Sequence, residues 1–358
     1  MTPKPKDAIS EVGSLRDAAT GLFPIGCALM SDHLSEPGHA ELVARQFDVI
    51  TPENEFKPVE VQPERGRFYF QAADQIVRFC QERRLKLIGH TLMWHQQSPK
   101  WMYEREMDGA GSAGRAGSAE GAALSRSEAL ANLEAHIHAV AAHFRGKLQG
   151  WDVVNEVLSD TDDRWLRNAS PWRAIGDDLV VRAFKFAAEA DPDAELYYND
   201  YNIDLPGKCT RALHLIEQLR AAGCRLDAVG IQGHWHLHSL NLPMIEASLV
   251  RFEDAGIKVM ITEMDVSVLE GESNPYEGGL PAEVEYRLAA AYAGLFALFG
   301  RHKSHIKRVS FWGTHDGMSW LNGWPIKGRT NYPLVFDRNL RPKPAYHASV
   351  AALRQATR

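Results

Sequence analysis

Eight short runs rich in apolar and β-branched residues recur along the chain, separated by longer stretches of helical periodicity. They are Phe23–Leu29, Phe47–Asn54, Lys86–Trp94, Gly150–Glu156, Glu195–Asp200, Ala228–Trp235, Lys258–Val266 and Arg308–Asp316. A strand that returns to pair in parallel with its predecessor needs a crossover of about a dozen residues or more, usually a helix. Eight strand–helix units therefore predict an α/β fold, a parallel (β/α)8 barrel with its site at the C-terminal ends of the strands. The competing architecture is a doubly wound open sheet, which usually carries a glycine-rich phosphate turn after its first strand. "IGCALMS" is not that turn.

The helical stretches are legible from their apolar faces and stop signals. "ADQIVRFCQERR" places Ile76, Val77, Phe79 and Cys80 on one face, and "EALANLEAHIHAVAAHF" does the same with Leu130, Leu133, Ile137, Val140 and Phe144. Pro192 stops one helix, and Gly223 and Gly256 terminate two others. The 358 residues exceed an ordinary small domain but suit one large barrel. One segment breaks the rhythm. "DGAGSAGRAGSAEGAALS", residues 108–125, is rich in Gly, Ala and Ser and reads as a flexible loop between the third strand and its helix.

Composition narrows the partners. A net charge of −6 offers no basic face for nucleic acid or another polyphosphate. No apolar run approaches the roughly 20 residues that span a bilayer, so no membrane role is expected. "MTPKPKDAISEVGSLRDAAT" lacks the apolar core of a signal peptide. Cys27, Cys80, Cys209 and Cys224 show no CxxC spacing, and a helix between the last two holds them too far apart for a disulfide. Four free thiols suit a reducing compartment, so the chain as it stands is expected in the cytoplasm, or outside it if a leader is cleaved.

The polar residues cluster at the C-terminal ends of the strands. The second run ends on Glu53-Asn54, with Lys57 just beyond. The third carries His90 and leads into Trp94-His95-Gln96-Gln97, and the fourth ends on Asn155-Glu156. The fifth ends on Asn199-Asp200-Tyr201-Asn202, and the sixth carries Gln232 and His234. Glu263 and Asp265 lie on the seventh, and Trp312, His315, Asp316 and Trp320 lie on or after the eighth. One polar strand end is ordinarily a satisfied buried hydrogen bond. Seven at one end of a barrel imply a polar cavity rimmed by aromatic rings.

Within that set, Glu156 and Glu263 lie at the ends of the fourth and seventh strands. Paired carboxylates in a cleft are the equipment of glycoside hydrolysis, one protonating the leaving oxygen while the other attacks the anomeric carbon or activates water. Tryptophan planes suit the apolar faces of sugar rings, and Asn, Gln, His and Lys suit their hydroxyls. The alternating His234, His236 and His238 raise a zinc reading, but the run is expected to leave the strand after His234 and nothing at suitable spacing completes a site. There is no G-x-S-x-G elbow for a serine hydrolase. No metal and no cofactor are expected.

The motifs "TPENEFK", "GHTLMWHQQSPKW", "WDVVNE", "YYNDYN", "GIQGHW", "ITEMDV", "FWGTHDGMSW" and "YPLVFDRNLRPKPAY", in this order, make the chain resemble the glycoside hydrolase family 10 endo-β-1,4-xylanases. The resemblance runs from about Leu22 to Leu353 and implies one catalytic barrel domain with no carbohydrate-binding module. It implies a retaining double displacement, with Glu156 as acid/base, Glu263 as nucleophile and Asn155 on the sugar 2-hydroxyl. His234 would sit beside Glu263 with Asp265 fixing its tautomer, and Gln232 would hold that end of the site. Glu53, Asn54 and Lys57 would bind the sugar one step toward the non-reducing end. His90, Trp94 and Gln97 would line the cleavage subsite, Trp312 and Trp320 would cover the glycone sugars, and Tyr201 would line the aglycone side. The substrate would be xylan or xylo-oligosaccharides and the protein a monomer. Ile88 stands where the family often has Arg, and "ENEFKP" brings Phe56 and Pro58 to positions the family fills differently. The alternatives are another β-1,4-glycanase or cellobiosidase of the same fold, or a carbohydrate-binding barrel without activity.

Overall fold

The computed structural model describes residues 13–105, 122–161 and 163–358. Nine parallel strands form the central sheet: β1 Ile25–Leu29, β2 Val49–Pro52, β3 Lys86–Trp94, β4 Gly150–Asn155, β5 Glu195–Asp200, β6 Ala228–Ile231, β7 His234–His236, β8 Val259–Ser267 and β9 Ile306–Phe311. The order β6-β5-β4-β3-β2-β1-β9-β8 closes on itself through β6–β8 pairing, so the expected eight-stranded barrel is present. β7 is the continuation of the sixth strand and pairs with β8 further along.

The barrel closes because its strands are buried on both faces. All nine residues of β8 are buried, as are all but the first of β3. The surrounding helices bury the predicted stripes against the outside of the strands. The helix Gln71–Arg83 buries Ala73, Ile76, Val77, Phe79 and Cys80. The helix Arg126–Phe144 buries Leu133, Ile137, Val140 and Phe144, while Leu130 is half-buried and Ala129 and His136 take its inward place. Each fully buried large apolar side chain contributes about 1.5–3 kcal/mol, so packing rather than intrinsic propensity holds these helices. Gly223 and Gly256 carry φ of 70° and 66° just past their helices, the left-handed conformation a stop glycine supplies. All four cysteines are free, and burial pushes the Cys80 thiol up to about 12.

Three expectations shift in detail. The sixth strand is not continuous from Ala228 to Trp235 but breaks at Gln232-Gly233, where Gly233 takes φ of 80°. It resumes through His236 instead of ending after His234. The eighth strand is Ile306–Phe311, so Trp312 and the residues after it lie on the following loop. Residues 108–121 of the expected flexible loop lie outside the described residues. Its last four are fixed in place: Arg105 N–H donates to Ala122 O and Leu124 N–H to Tyr103 O, and Ser125 caps the next helix through a reciprocal pair with Glu128.

Candidate active site

The fourth strand carries its carboxylate out of the barrel wall through a strained turn. Glu156 has φ of 56°, left-handed backbone that non-glycine residues rarely adopt. Its N–H still donates to Asn199 O at 2.9 Å, and its carbonyl accepts from Arg167 Nε at 3.1 Å. Such strain, of order 1–3 kcal/mol, persists only where surrounding contacts fix it, and it concentrates at functional sites. The turn aims the side chain between two neutral donors. Trp94 Nε1 donates to Glu156 Oε2 at 2.9 Å and Gln232 Nε2 to Oε1 at 2.9 Å. The carboxyl has no cationic side chain within ion-pair distance among the described residues.

Glu263, on β8, sits in a different setting. His234 Nε2 lies 3.1 Å from Glu263 Oε2, and Asn199 Nδ2 donates to Oε1 at 2.7 Å. Behind the imidazole, Asp265 Oδ1 makes an ion-pair contact of 3.1 Å with His234 Nδ1, and Trp320 Nε1 donates to Asp265 Oδ2 at 2.8 Å. Burial opposes charge on both members of the pair, but the mutual attraction and the neighbouring donors outweigh it. The His234 imidazole is held above its ordinary range, mainly by Asp265, and the Glu263 carboxyl below its own, mainly by His234. The break in the sixth strand makes this possible. Gln232 O accepts from Glu263 N–H and Gly233 O from Asp265 N–H, which sets His234 beside both acids.

Asn155 lies between the two carboxylates. Its Oδ1 accepts from Asn199 Nδ2 at 2.9 Å and from Gln232 Nε2 at 3.4 Å, so its amide NH2 is left facing the cavity. Thr262 Oγ1 donates to Asn199 Oδ1 at 2.6 Å, which turns the Asn199 nitrogen toward Glu263. Gly230 makes room for this arrangement, because a Cβ there would collide with the Asn199 amide oxygen.

The wall beyond β2 is built around a buried ammonium. Lys57 Nζ donates to Gln97 Oε1 at 2.7 Å and Asn54 Oδ1 at 3.1 Å, and lies 4.9 Å from the centre of the Trp94 ring. Desolvation pushes the Glu53 carboxyl up to about 7 against the pull of Lys57. His90, buried on β3, pairs through Nδ1 with Asp152 Oδ2 at 3.0 Å, and its ring meets Trp312 edge-on at 5.4 Å. Across the cleft, Tyr201 receives a hydrogen bond from Arg167 Nη2 at 2.7 Å, donates to Asp160, and has Lys208 Nζ 3.6 Å from its ring centre.

These groups line one cleft of about 560 Å3. Of the fifteen residues singled out in the sequence, Glu53, Asn54, Lys57, His90, Trp94, Gln97, Asn155, Glu156, Tyr201, Gln232, His234, Glu263, Trp312 and Trp320 line it, and Asp265 stands directly behind His234. His315 and Asp316 do not reach it. Asp316 is fully buried in a pair with Lys343 at 2.8 Å, and the His315 ring packs against His39. His236 and His238 are exposed, and among the described residues no group of three potential ligands converges as a metal site.

Sequence reasoning named Asn199, Gln96 and Asn202 only as strand-end polar residues and missed Arg167 and Trp324. Asn202 and Gln97 carry positive φ, a signal no sequence pattern displays. Trp324, 61% exposed at the cleft rim, lies four residues past Trp320 in a loop where periodicity is silent.

Known proteins of the same kind bear directly on this arrangement. The family described as Glycosyl hydrolase family 10 matches residues 14–352. Endo-1,4-beta-xylanase A of Xylanibacter ruminicola is 36% identical, over 92% of this chain and 91% of its own length. Exoglucanase XynX of Acetivibrio thermocellus is 35% identical over 95% of this chain, which spans 29% of that longer protein. The solved structure of a GH10 endoxylanase from a sugarcane soil metagenome superposes with a TM-score of 0.87 at 36% identity, covering 95% of this chain and 99% of its own. Fold, cleft and sequence agree, and the chain belongs to glycosyl hydrolase family 10.

Proposed function

We propose that the protein is a retaining endo-β-1,4-xylanase, with Glu263 as nucleophile and Glu156 as acid/base. The observation that carries this reading is the contrast between the two carboxylates. Glu263 is held by an imidazolium partner and an amide donor, which favours a standing anion. Glu156 is held by the neutral donors Trp94 and Gln232, a setting that tolerates a carboxyl cycling between its two protonation states.

In the first step a Glu263 oxygen bonds to the anomeric carbon while the glycosidic bond breaks and the leaving oxygen takes the proton of Glu156. The anionic charge of Glu263 is consumed in the ester, which leaves Glu156 free to ionise. In the second step Glu156 takes a proton from water, the resulting oxygen attacks the anomeric carbon, and Glu263 departs as carboxylate. The free NH2 of Asn155 donates to the 2-hydroxyl throughout. Glu53, Asn54 and Lys57 hold the next glycone sugar, the rings of Trp312 and Trp320 cover it, and Tyr201 faces the aglycone. The scheme needs no metal or cofactor, and a single chain supplies every group in it.

The test is the stereochemistry of the first-formed product from a xylo-oligosaccharide, followed by proton NMR. A β-anomer is expected. An α-anomer rules out double displacement, and absence of hydrolysis rules out the activity.

A further inference from the structure

The left-handed backbone at Glu156 has to be held from both sides. Rotation of its φ from 56° back to the ordinary negative range would swing the Cα–Cβ bond and carry the carboxyl away from Trp94 Nε1 and Gln232 Nε2. On one side the residue is tied by the strand-like bond from its N–H to Asn199 O. On the other it is tied by a side chain, because the Glu156 carbonyl accepts from Arg167 Nε at 3.1 Å.

Arg167 is itself firmly anchored. Its N–H donates to Val157 O at 2.8 Å, Leu158 and Leu166 form an antiparallel bridge, and Ser159 N–H donates to Trp165 O at 3.0 Å. Each guanidinium nitrogen is committed to a different group. Nε takes the Glu156 carbonyl, Nη2 donates to Tyr201 Oη at 2.7 Å, and Nη1 lies 2.9 Å from Asp160 Oδ2. Tyr201 donates to that same Asp160 oxygen, which closes a ring of three side chains. Buried Lys208 fixes Asp160 in turn, with Nζ 2.8 Å from Asp160 Oδ1 and 2.9 Å from Asp200 Oδ1. A planar fork with fixed angles between its donors passes this anchoring on to the carbonyl, which a flexible ammonium does not. Arg167 meets the backbone of Glu156 and not its carboxyl, and its charge is answered by Asp160. Its effect on Glu156 is therefore one of position.

We propose that Arg167 is a positioning residue for the acid/base, holding the left-handed turn at Glu156 so that the carboxyl stays on the leaving oxygen. The inference rests on the xylanase reading and on the role given there to Glu156.

The experiment measures kcat/KM on two aryl β-xylobiosides. One carries a dinitrophenyl group, which departs without a proton, and the other an unsubstituted phenyl group, which needs one. For both, kcat/KM reports the first bond-breaking step, in which Glu156 acts as acid. A misplaced acid should lower the phenyl value by about tenfold to a hundredfold and leave the dinitrophenyl value within about threefold of wild type. Arg167→Met is expected to show this split. Arg167→Lys, which keeps a cation for Asp160 but not the fork, is expected to show it too, and it decides the matter if the methionine variant fails to fold. Glu156→Ala is the reference and should show the split in full. In a folded variant, an equal loss on both substrates means that Arg167 only supports the fold, and an unchanged phenyl value means that it does not place the acid. Either result overturns the positioning role and leaves the xylanase reading intact. Absence of the split in Glu156→Ala, or failure of wild type to cleave either substrate, overturns the acid/base reading and this inference with it.

Discussion

Asn199 donates a 2.7 Å hydrogen bond to Glu263 and, from the same amide nitrogen, a 2.9 Å bond to Asn155. Gln232 mirrors it, donating from one nitrogen to Glu156 at 2.9 Å and to Asn155 at 3.4 Å. The two carboxylates are thus spaced by an unbroken run of uncharged amides, Asn199–Asn155–Gln232. An amide relay links them without adding a charge that would bias either one, and the imidazole of His234 pairs with Glu263 and Asp265 rather than with Glu156.

The division of labour between the carboxylates predicts opposite responses to an added nucleophile. Glu263→Ala and Glu156→Ala should each lower kcat on xylan by about 10⁴-fold or more. Azide should rescue Glu263→Ala on an activated aryl glycoside with formation of the inverted glycosyl azide, since the small anion attacks in place of the missing carboxylate. It should rescue Glu156→Ala with the retained azide, because the covalent intermediate still forms on Glu263. NMR of the azide products distinguishes the two, and an exchange of outcomes would reverse the assignments.

The Asp265–His234–Glu263 run predicts a pH dependence whose sign follows from the geometry. The folded-state Glu263 carboxyl titrates below its ordinary range, so the stability it contributes is present above the unfolded value of about 4.3 and is lost as pH falls through the folded one. Activity that needs the anion should have its acid limb in the same low window. Asp265→Asn removes the main charge holding His234 protonated, and through it weakens the hold on Glu263. The acid limb of kcat/KM should move to higher pH, with a loss of roughly a hundredfold at the optimum from the less firmly placed imidazole. A limb that stays in place would show that Asp265 acts only in packing.

Glu53 titrates in the opposite direction. Desolvation raises its carboxyl to about 7 despite Lys57. Between the unfolded value and pH 7 the folded state binds the proton more tightly, so folding loses stability as pH rises through this window. Glu53→Gln should therefore raise Tm by roughly a few degrees above pH 7 and by less near pH 5. The same change should cost about tenfold in kcat/KM on xylobiosides through loss of a charge-assisted hydrogen bond. Thermal melts across pH and steady-state kinetics check both arms.

The sequence carried most of this site because the carboxylates, amides and tryptophans sit at strand ends, where a polar residue after an apolar run is conspicuous. It carried less of what orients them. The left-handed turn at Glu156, the break at Gly233 and the collision that Gly230 avoids are backbone events with no periodic signature. Motif membership also proved a different thing from site membership. Asp316 belongs to "FWGTHDGMSW" and Lys343 to "YPLVFDRNLRPKPAY", yet they form a buried pair away from the cleft. Lys343 Nζ donates further to Tyr332 O at 2.9 Å and Leu334 O at 2.7 Å, while Asp316 O accepts from Asn322 Nδ2 at 2.8 Å within the Trp320 loop.

That buried pair predicts a stability effect. Asp316→Ala would strand the Lys343 ammonium in the interior and should destabilise the fold by about 3–5 kcal/mol. Replacing both residues by apolar ones of similar size should cost less than the single change, because no unpaired charge remains. Urea unfolding of the single and double variants gives the comparison, and equal losses would mean that the pair matters only through its backbone hydrogen bonds.

On the xylanase reading, Trp312 and Trp320 would set the choice between xylose and glucose chains. Xylose lacks the hydroxymethyl group at C5 that glucose carries, so a wall close to that carbon passes one and rejects the other. Trp312 is fixed by edge-on contacts with His90 at 5.4 Å and His234 at 6.3 Å, and Trp320 by its bond to Asp265 and its 4.8 Å contact with His234. These contacts hold both rings in place at the cleft. Wild type should therefore cleave an aryl xylobioside faster than an aryl cellobioside by about 10–200-fold, the discrimination that a small steric difference in a pocket supports. Trp312→Ala should lower the xylobioside rate and narrow this ratio by opening the wall. Trp320→Ala should also narrow it, with a larger loss of kcat because Asp265 loses its indole donor. Equal rates on the two substrates in the wild-type protein would place it with enzymes acting on cellulose-like chains, whichever way the tryptophan variants behave.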